Sequence, residues 1–218
     1  MGIFRCNRCG MIYDGVEGIC KYCGPPPPPE PEVIVIGGLD LGKIHDYSAL
    51  VVLEIQDQKV KVKGLKPWPH VDYSVVVKEV AELYTRLEME FLAVDATGVG
   101  EAVREMLAEA GVRTEDIKFG EYVETTNILG EHERAPIKYA MVEYTRACLQ
   151  AGRVSFGSGC EDLIRQLREL EMVLGAWEHP KYEHPEGSHD DLAWAFMMAL
   201  YAGRRWITGG GGWVVRIN

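Results

Sequence analysis

The residues of this 218-residue chain with the clearest chemical potential are six cysteines and a few aspartates set in apolar surroundings. Cys6, Cys9, Cys20 and Cys23 read CNRCG, nine intervening residues, then CKYCG. Each C-x-x-C places two thiolates on one tight turn, and the glycine after each pair, Gly10 or Gly24, permits the positive φ that such a turn often needs. Two turns facing each other supply a tetrahedral four-thiolate site suited to structural zinc. Two disulfides are the competing reading. The first ten residues hold no apolar segment of a secretory signal, so a reducing compartment is expected and thiols are favoured over disulfides. Residues 1–24 are too few to fold on a core of their own, so the metal would supply the folding free energy. A ribbon this small is a grip for nucleic acid or for protein. Cys148 and Cys160 lie outside the ribbon and read as ordinary buried thiols.

The acidic residues stand at three places. Asp40 closes the apolar run EVIVIGGLD, Asp95 ends FLAVD, and Asp190 and Asp191 open the apolar stretch LAWAFMMALYA. A buried strand does not tolerate a lone carboxylate without a partner, and metal coordination is one compensation. Taken singly, Asp40 can begin a turn, Asp95 can satisfy a loop, and Asp190 or Asp191 can complement a helix dipole. Taken jointly, on two strands and a helix start, they fit ligands of two Mg²⁺ or Mn²⁺ ions that activate a water and stabilise a leaving oxygen in phosphodiester hydrolysis. Adjacent helical residues point about 100° apart, so one of Asp190 and Asp191 is expected to bind directly, and Asp191 is the choice. His189 is a further candidate to hold a metal or the phosphate, against a plain surface histidine.

The elements that must position these groups follow from periodicity. Residues 32–40, 48–55 and 59–65 read as three strands joined by short turns, hence antiparallel, with Asp57-Gln58 as one turn. Apolar residues at helical spacing mark a helix over 73–90. FLAVD is a short buried strand, 101–110 a helix and IKFGEYV another strand. Residues 136–150 and 161–170 are helices, and Ser188 is expected to cap the last one. The fold class is therefore α/β, a mixed sheet of three antiparallel strands followed by parallel strands and flanked by helices. Four segments result: a ribbon over 1–24, a linker over 25–32, a catalytic domain over 33–206 and a glycine-rich tail over 207–218. The linker PPPPPEPE should adopt polyproline II, a stiff spacer of about 25 Å at ~3.1 Å per residue.

The windows GLDLG, FLAVDATGVG and GSHDDLAWAFMMAL resemble the three acidic motifs of the phage terminase large-subunit nuclease domain, an RNase H-like fold. The likeness covers roughly residues 33–205, and Lys138 through GRVSFG to the helix at Glu161 resembles the segment those domains carry before their last motif. It implies a metal-dependent endonuclease acting on double-stranded DNA during viral packaging, with Asp40, Asp95, Asp190 and Asp191 as Mg²⁺ or Mn²⁺ ligands and His189 beside them. It also implies the host-cell cytoplasm as the compartment. The family's large subunit carries a packaging ATPase that these 218 residues do not include, so the expectation is an ATPase and a portal or small terminase supplied in trans, a stand-alone relative, or a fragment of a larger chain. Residues 37–43 imitate a phosphate loop, G-x-x-x-x-G-K, but Ile44 stands where Ser or Thr would bind Mg²⁺ and Asp40 would repel phosphate.

Bulk properties limit the alternatives. No run of 18 apolar residues exists, so no membrane span is expected. The net charge of −10 leads us to expect weak, sequence-independent and salt-sensitive DNA binding, with Lys138, Arg146 and Arg153 as candidate phosphate contacts. His179 and His184 read as residues of a proline-bearing loop. A junction-resolvase-like nuclease of the same fold, a non-catalytic zinc adaptor and an actin-like ATPase fragment are the competing functions. GLDLG also resembles a phosphate motif of the actin-like group, but the chain is too short for that group's two domains.

Overall fold

The computed structural model describes residues 2–17, 19–24, 32–42, 47–97, 99–126, 132–174, 179–185 and 188–208. The run 25–31, Lys43 and Ile44, and the tail from 209 onward lie outside the described residues. The chain divides into two compact units, Met1–Glu32 and Val33–Asn218.

In the first unit β1 (Gly2–Arg5) pairs antiparallel with β2 (Ile12–Gly15). The register sets Phe4 against Tyr13. Tyr13 is buried together with Cys6 and Cys20, and Phe4 packs on them, so the apolar centre of this unit is built around the cysteines.

The second unit is a six-stranded sheet with helices on both faces. Its strands are β3 (Ile34–Asp40), β4 (Tyr47–Gln56), β5 (Lys59–Pro69), β6 (Phe91–Asp95), β7 (Thr114–Ile117) and, later in the chain, β10 (Val154–Ser155). The order is β10-β5-β4-β3-β6-β7. β3, β4 and β5 are antiparallel, as the short connections require, and Asp57 and Gln58 both take positive φ in the β4–β5 turn, the geometry that matches strand twist. β6 is parallel to β3 and β7 parallel to β6. Helices α1 (Tyr73–Arg86) and α2 (Val99–Glu109) cover one face through Val76, Val80, Val103 and Leu107. The other face carries α3 (Ile137–Gln150), α4 (Glu161–Glu169), α5 (Asp191–Ala202) and the short α6 (Arg204–Ile207).

Several expectations are corrected. IKFGEYV is not one strand: β7 ends at Ile117, the chain turns with Glu121 N–H donating to the Lys118 carbonyl, and β8 (Tyr122–Thr126) begins a separate hairpin with β9 (His132–Pro136). The loop holding His179 and His184 contains β12 (Lys181–Glu183), which pairs with β11 (Glu171–Val173). α1 stops at Arg86, because Glu88 adopts a positive φ of 50° and the chain turns into β6. Ser188 does not cap α5. The first helical bond runs from Trp194 N–H to the Asp190 carbonyl, which makes Asp190 the N-cap, and the Ser188 hydroxyl donates to the Pro185 carbonyl instead.

α5 decides the site. Every residue from Leu192 to Ala202 is buried, and the helix lies on β3, β4 and β6. Its backbone comes so close to β3 that a Cβ on Gly38 would sit 2.0 Å from the Ala195 carbonyl oxygen and 2.9 Å from the Ala199 nitrogen. No rotamer change relieves a clash with backbone. Gly38→Ala should therefore force the helix off the sheet at a cost of about 1–3 kcal/mol or more. The melting temperature should fall by roughly 5–10 °C in thermal denaturation, and an unchanged melting curve would contradict this packing.

Candidate active site

β3 and β6 run parallel with Leu39 opposite Val94, so the next residues, Asp40 and Asp95, emerge side by side at the carboxyl ends of adjacent strands. Parallel strands place both chain exits at one edge, where a buried carboxylate can reach solvent. The N-terminus of α5, pinned by its apolar body, brings Asp190 and Asp191 to the same edge. The structure thus unites all four acidic residues singled out above. Burial is the main reason that the Asp40 carboxyl is held well above the ordinary range. The negative charges of Asp191, Asp190 and Asp95 raise it further, and Lys138 works against them.

Each neighbouring carboxylate has a group that holds it. Asp95 Oδ1 accepts from the Thr97 backbone N–H at 3.0 Å and from the Thr97 hydroxyl at 2.6 Å. Asp190 Oδ2 accepts from the Trp194 indole N–H at 2.6 Å, and its Oδ1 lies 3.8 Å from His184 Nε2. Asp191 Oδ2 lies 3.9 Å from His189 Nδ1, and the His189 ring rests on Tyr47 at 4.2 Å between centroids. Lys138 Nζ stands 4.3 Å from the ring centroids of both Phe119 and Trp194, so its charge is aimed by two aromatic faces. A cleft of about 840 Å³ is lined by Asp40, Asp190, Asp191, Lys138, His184 and His189 among others. Asp95 is not on that lining.

Sequence reasoning undervalued three of these residues. The sequence offers Lys138 only as one of three candidate phosphate contacts, His184 as a loop histidine, and Trp194 as one apolar residue of a helix. Only Trp194 left a readable signal, since it lies four residues after Asp190 and one helical turn brings the two together. Arg146 pairs with the buried Glu143, and Arg153 donates to the Gln58 side chain and the Ile207 carbonyl, so both are tied into the fold. His179 packs on Tyr139.

The cysteines form a second site, in the first unit. Cys6 Sγ lies 3.5 Å from Cys23 Sγ and Cys9 Sγ 3.7 Å from Cys20 Sγ. Among the described residues, these four are the set whose ligating atoms all fall within 4.8 Å of one another, as holding a single metal ion requires. The two C-x-x-C turns repeat one geometry. The N–H of Arg8 or Tyr22 points at the sulfur of Cys6 or Cys20 at 3.4 Å, and Gly10 and Gly24 both take φ +73°. Backbone N–H groups bring the Cys6 thiol down to about 6, while sharing a hydrogen with Cys6 pushes Cys23 up to about 12. The four sulfurs cannot all ionise without a cation among them. The acidic side chains at the sheet edge are more widely spread, and among the described residues no three of them bring carboxylate oxygens within 4.8 Å of one another.

A mixed sheet in which a central antiparallel strand and its parallel neighbour end in aspartates, completed by an aspartate at the start of a buried C-terminal helix, is the arrangement of an RNase H-like domain. The chain belongs to the terminase RNase H-like domain family, whose sequence profile matches residues 37–202. It is 22% identical over 170 residues to the terminase ATPase subunit of Escherichia phage P2, covering 75% of this chain and 26% of that protein, so it spans about a quarter of that relative's length. The large terminase nuclease of thermophilic phage G20c with bound magnesium superposes with a TM-score of 0.62 at 20% identity, over 79% of this chain and 82% of that one. The nuclease domain of Thermus phage P74-26 gives 0.62 at 17% identity, over 85% and 84%. The nuclease domain of the large terminase subunit of bacterial virus Sf6, solved with manganese, gives 0.62 at 14% identity, over 77% and 88%.

The electrostatics of Asp40 have a measurable consequence. Its folded-state carboxyl is harder to ionise than in the unfolded chain, so its charge destabilises the metal-free fold above the raised value. That penalty is relieved as pH falls through the raised value. Asp40→Asn removes the charge and keeps the shape. At neutral pH without added divalent ions it should melt a few degrees higher than the parent, and a lower melting temperature would show that Asp40 is held by a compensating partner.

Proposed function

We propose that residues 33–208 form an endonuclease that hydrolyses DNA phosphodiester bonds with two divalent cations, Mg²⁺ or Mn²⁺, and that it serves viral DNA packaging. The carrying observation is the convergence of Asp40, Asp95, Asp190 and Asp191 on one sheet edge with Asp40 buried among like charges. A carboxylate in that position is stabilised by a cation, and an all-oxygen set of aspartates suits hard ions such as Mg²⁺ or Mn²⁺. The donor set therefore fits. Such ions, when bound, lower the pKa of a water and neutralise charge building on the leaving oxygen.

The protein's own groups orient these ligands and the DNA. Thr97 occupies one oxygen of Asp95 and leaves the other for a cation. Trp194 and His184 fix the rotamer of Asp190, which makes Asp190 the more restrained member of the pair and leaves Asp191 as the direct ligand we favour. Lys138 presents a fixed positive charge on the cleft wall and is the residue we assign to a non-bridging phosphate oxygen. His189 stands beside Asp191 and is assigned to the same phosphate group. DNA would be double-stranded, and the nuclease would act together with a motor ATPase and a portal or small terminase. The four thiolates of the first unit are assigned to one structural zinc ion, which soft sulfur ligands select.

Two experiments test these assignments. In a plasmid nicking assay with Mn²⁺, Asp40→Asn and Asp191→Asn should lose cleavage by at least ~100-fold, as expected when a metal ligand is lost, and Asp190→Asn should lose less. A clean Asp40→Asn preparation that nicks at the parent rate refutes the mechanism. Elemental analysis of protein never exposed to chelator should find one zinc per chain, abolished by Cys20→Ser, and parent protein without zinc would remove the ribbon assignment.

A further inference from the structure

Beside the carboxylate cleft lies a second cavity of about 390 Å³, a size suited to a small organic ligand. Phe119, Lys138, Tyr182 and Glu183 line both, so the two adjoin. The second cavity is walled by rings drawn from four parts of the chain: Phe119 after β7, Tyr122 on β8, Tyr139 in the first turn of α3, and Tyr182 on β12 with His179 just before it. Tyr139 lies 6.4 Å from Tyr182 with the rings stacked, and 4.8 Å from His179. These tyrosines are not core. Tyr122, Tyr139 and Tyr182 belong to neither hydrophobic cluster of this unit, and Tyr122 is 55% exposed.

One ring is deliberately held. Tyr182 donates its hydroxyl to the buried Glu143 at 2.8 Å, and Glu143 is also paired with Arg146, so its charge is neutralised behind the ring. Positive groups sit against the aromatic faces: Lys138 over Phe119 and the Arg134 guanidinium 5.6 Å over Tyr122. Glu183 adds a carboxylate that can accept from the amino or imino N–H of a heterocycle. Aromatic faces interleaved with cations, opening onto a phosphate-cleaving centre, match the chemistry of an unstacked nucleobase with its neighbouring phosphates. Bases inside a duplex are already stacked on their neighbours, so only an unpaired or extruded base can offer a face to these rings.

We propose that this cavity receives one unpaired nucleobase of the strand whose backbone lies in the carboxylate cleft. The idea rests on the nuclease reading and narrows its substrate to DNA with a nucleotide unpaired, or forced out of the stack, next to the cut.

The test compares two fluorescein-labelled strands without added divalent ions, by anisotropy with the full chain. One is an oligodeoxythymidylate, and the other has the same backbone with abasic tetrahydrofuran residues in place of its bases. The parent should bind the base-bearing strand about tenfold more tightly, the effect of losing one stacked base. Tyr122→Ala, at an exposed position that carries no core packing, and Tyr139→Leu should shrink that preference to under about twofold and leave abasic binding unchanged. Equal binding of the two strands by the parent, or a preference that survives both substitutions, overturns the proposal. Because this readout needs no cleavage, the two readings fail separately. A protein that prefers bases but cannot nick DNA refutes the nuclease alone, and one that nicks DNA without base preference refutes the pocket alone.

Discussion

The close approach of α5 to β3 at Gly38 is the contact on which the arrangement depends. Gly38 has no side chain, and Ala195 and Ala199 face it, so helix and strand backbones meet where most sequences would separate them. The long side chains of α5 reach to either side and fill the space between the sheet and α3 and α4. Each large side chain fully buried there contributes about 1.5–3 kcal/mol. That sum is what holds Asp190 and Asp191 against Asp40 and Asp95, four like charges that would otherwise move apart. The apolar helix and the acidic site are therefore one device: the first supplies the free energy that the second stores as repulsion.

The stored repulsion is directional. Asp40 is the buried member and bears the cost, while Asp95 and Asp190 are steadied by hydrogen bonds from Thr97 and Trp194. Such donors lower the freedom of the ligands without neutralising their charge, so the site stays open to a cation. Lys138 is the countercharge nearest the cleft, but two aromatic rings hold it to one side, where it moderates the field at Asp40 and faces the open space.

The two units separate two kinds of coordination chemistry. The ribbon offers four sulfurs in a closed set around one point, with backbone N–H groups of both turns directed at them. The larger unit offers oxygens at an open edge beside a cleft. Soft, closed coordination suits an ion that stays and holds structure, and hard, open coordination suits ions that must leave room for water and substrate.

What the sequence determined by itself was local. C-x-x-C spacing, an apolar run ending in aspartate and an HDD triplet before an apolar helix are patterns within a few residues, and their physics is short-ranged. The antiparallel order of β3, β4 and β5 was likewise legible from two-residue and similarly short connections. What only the tertiary structure decided was anything built by distant segments. The parallel register of β3 and β6 sets Asp40 beside Asp95 across 55 residues of chain, and no local pattern encodes it. The strands around Phe119 and Tyr182 were misread for the same reason. Their short β segments are stabilised by partner strands, β8 by β9 and β11 by β12, and not by propensity of their own. Lys138 and His184 acquired their places only when α3 and β12 were folded against the N-terminus of α5, because a side chain's electrostatic surroundings are set by what packs next to it and not by its neighbours along the chain.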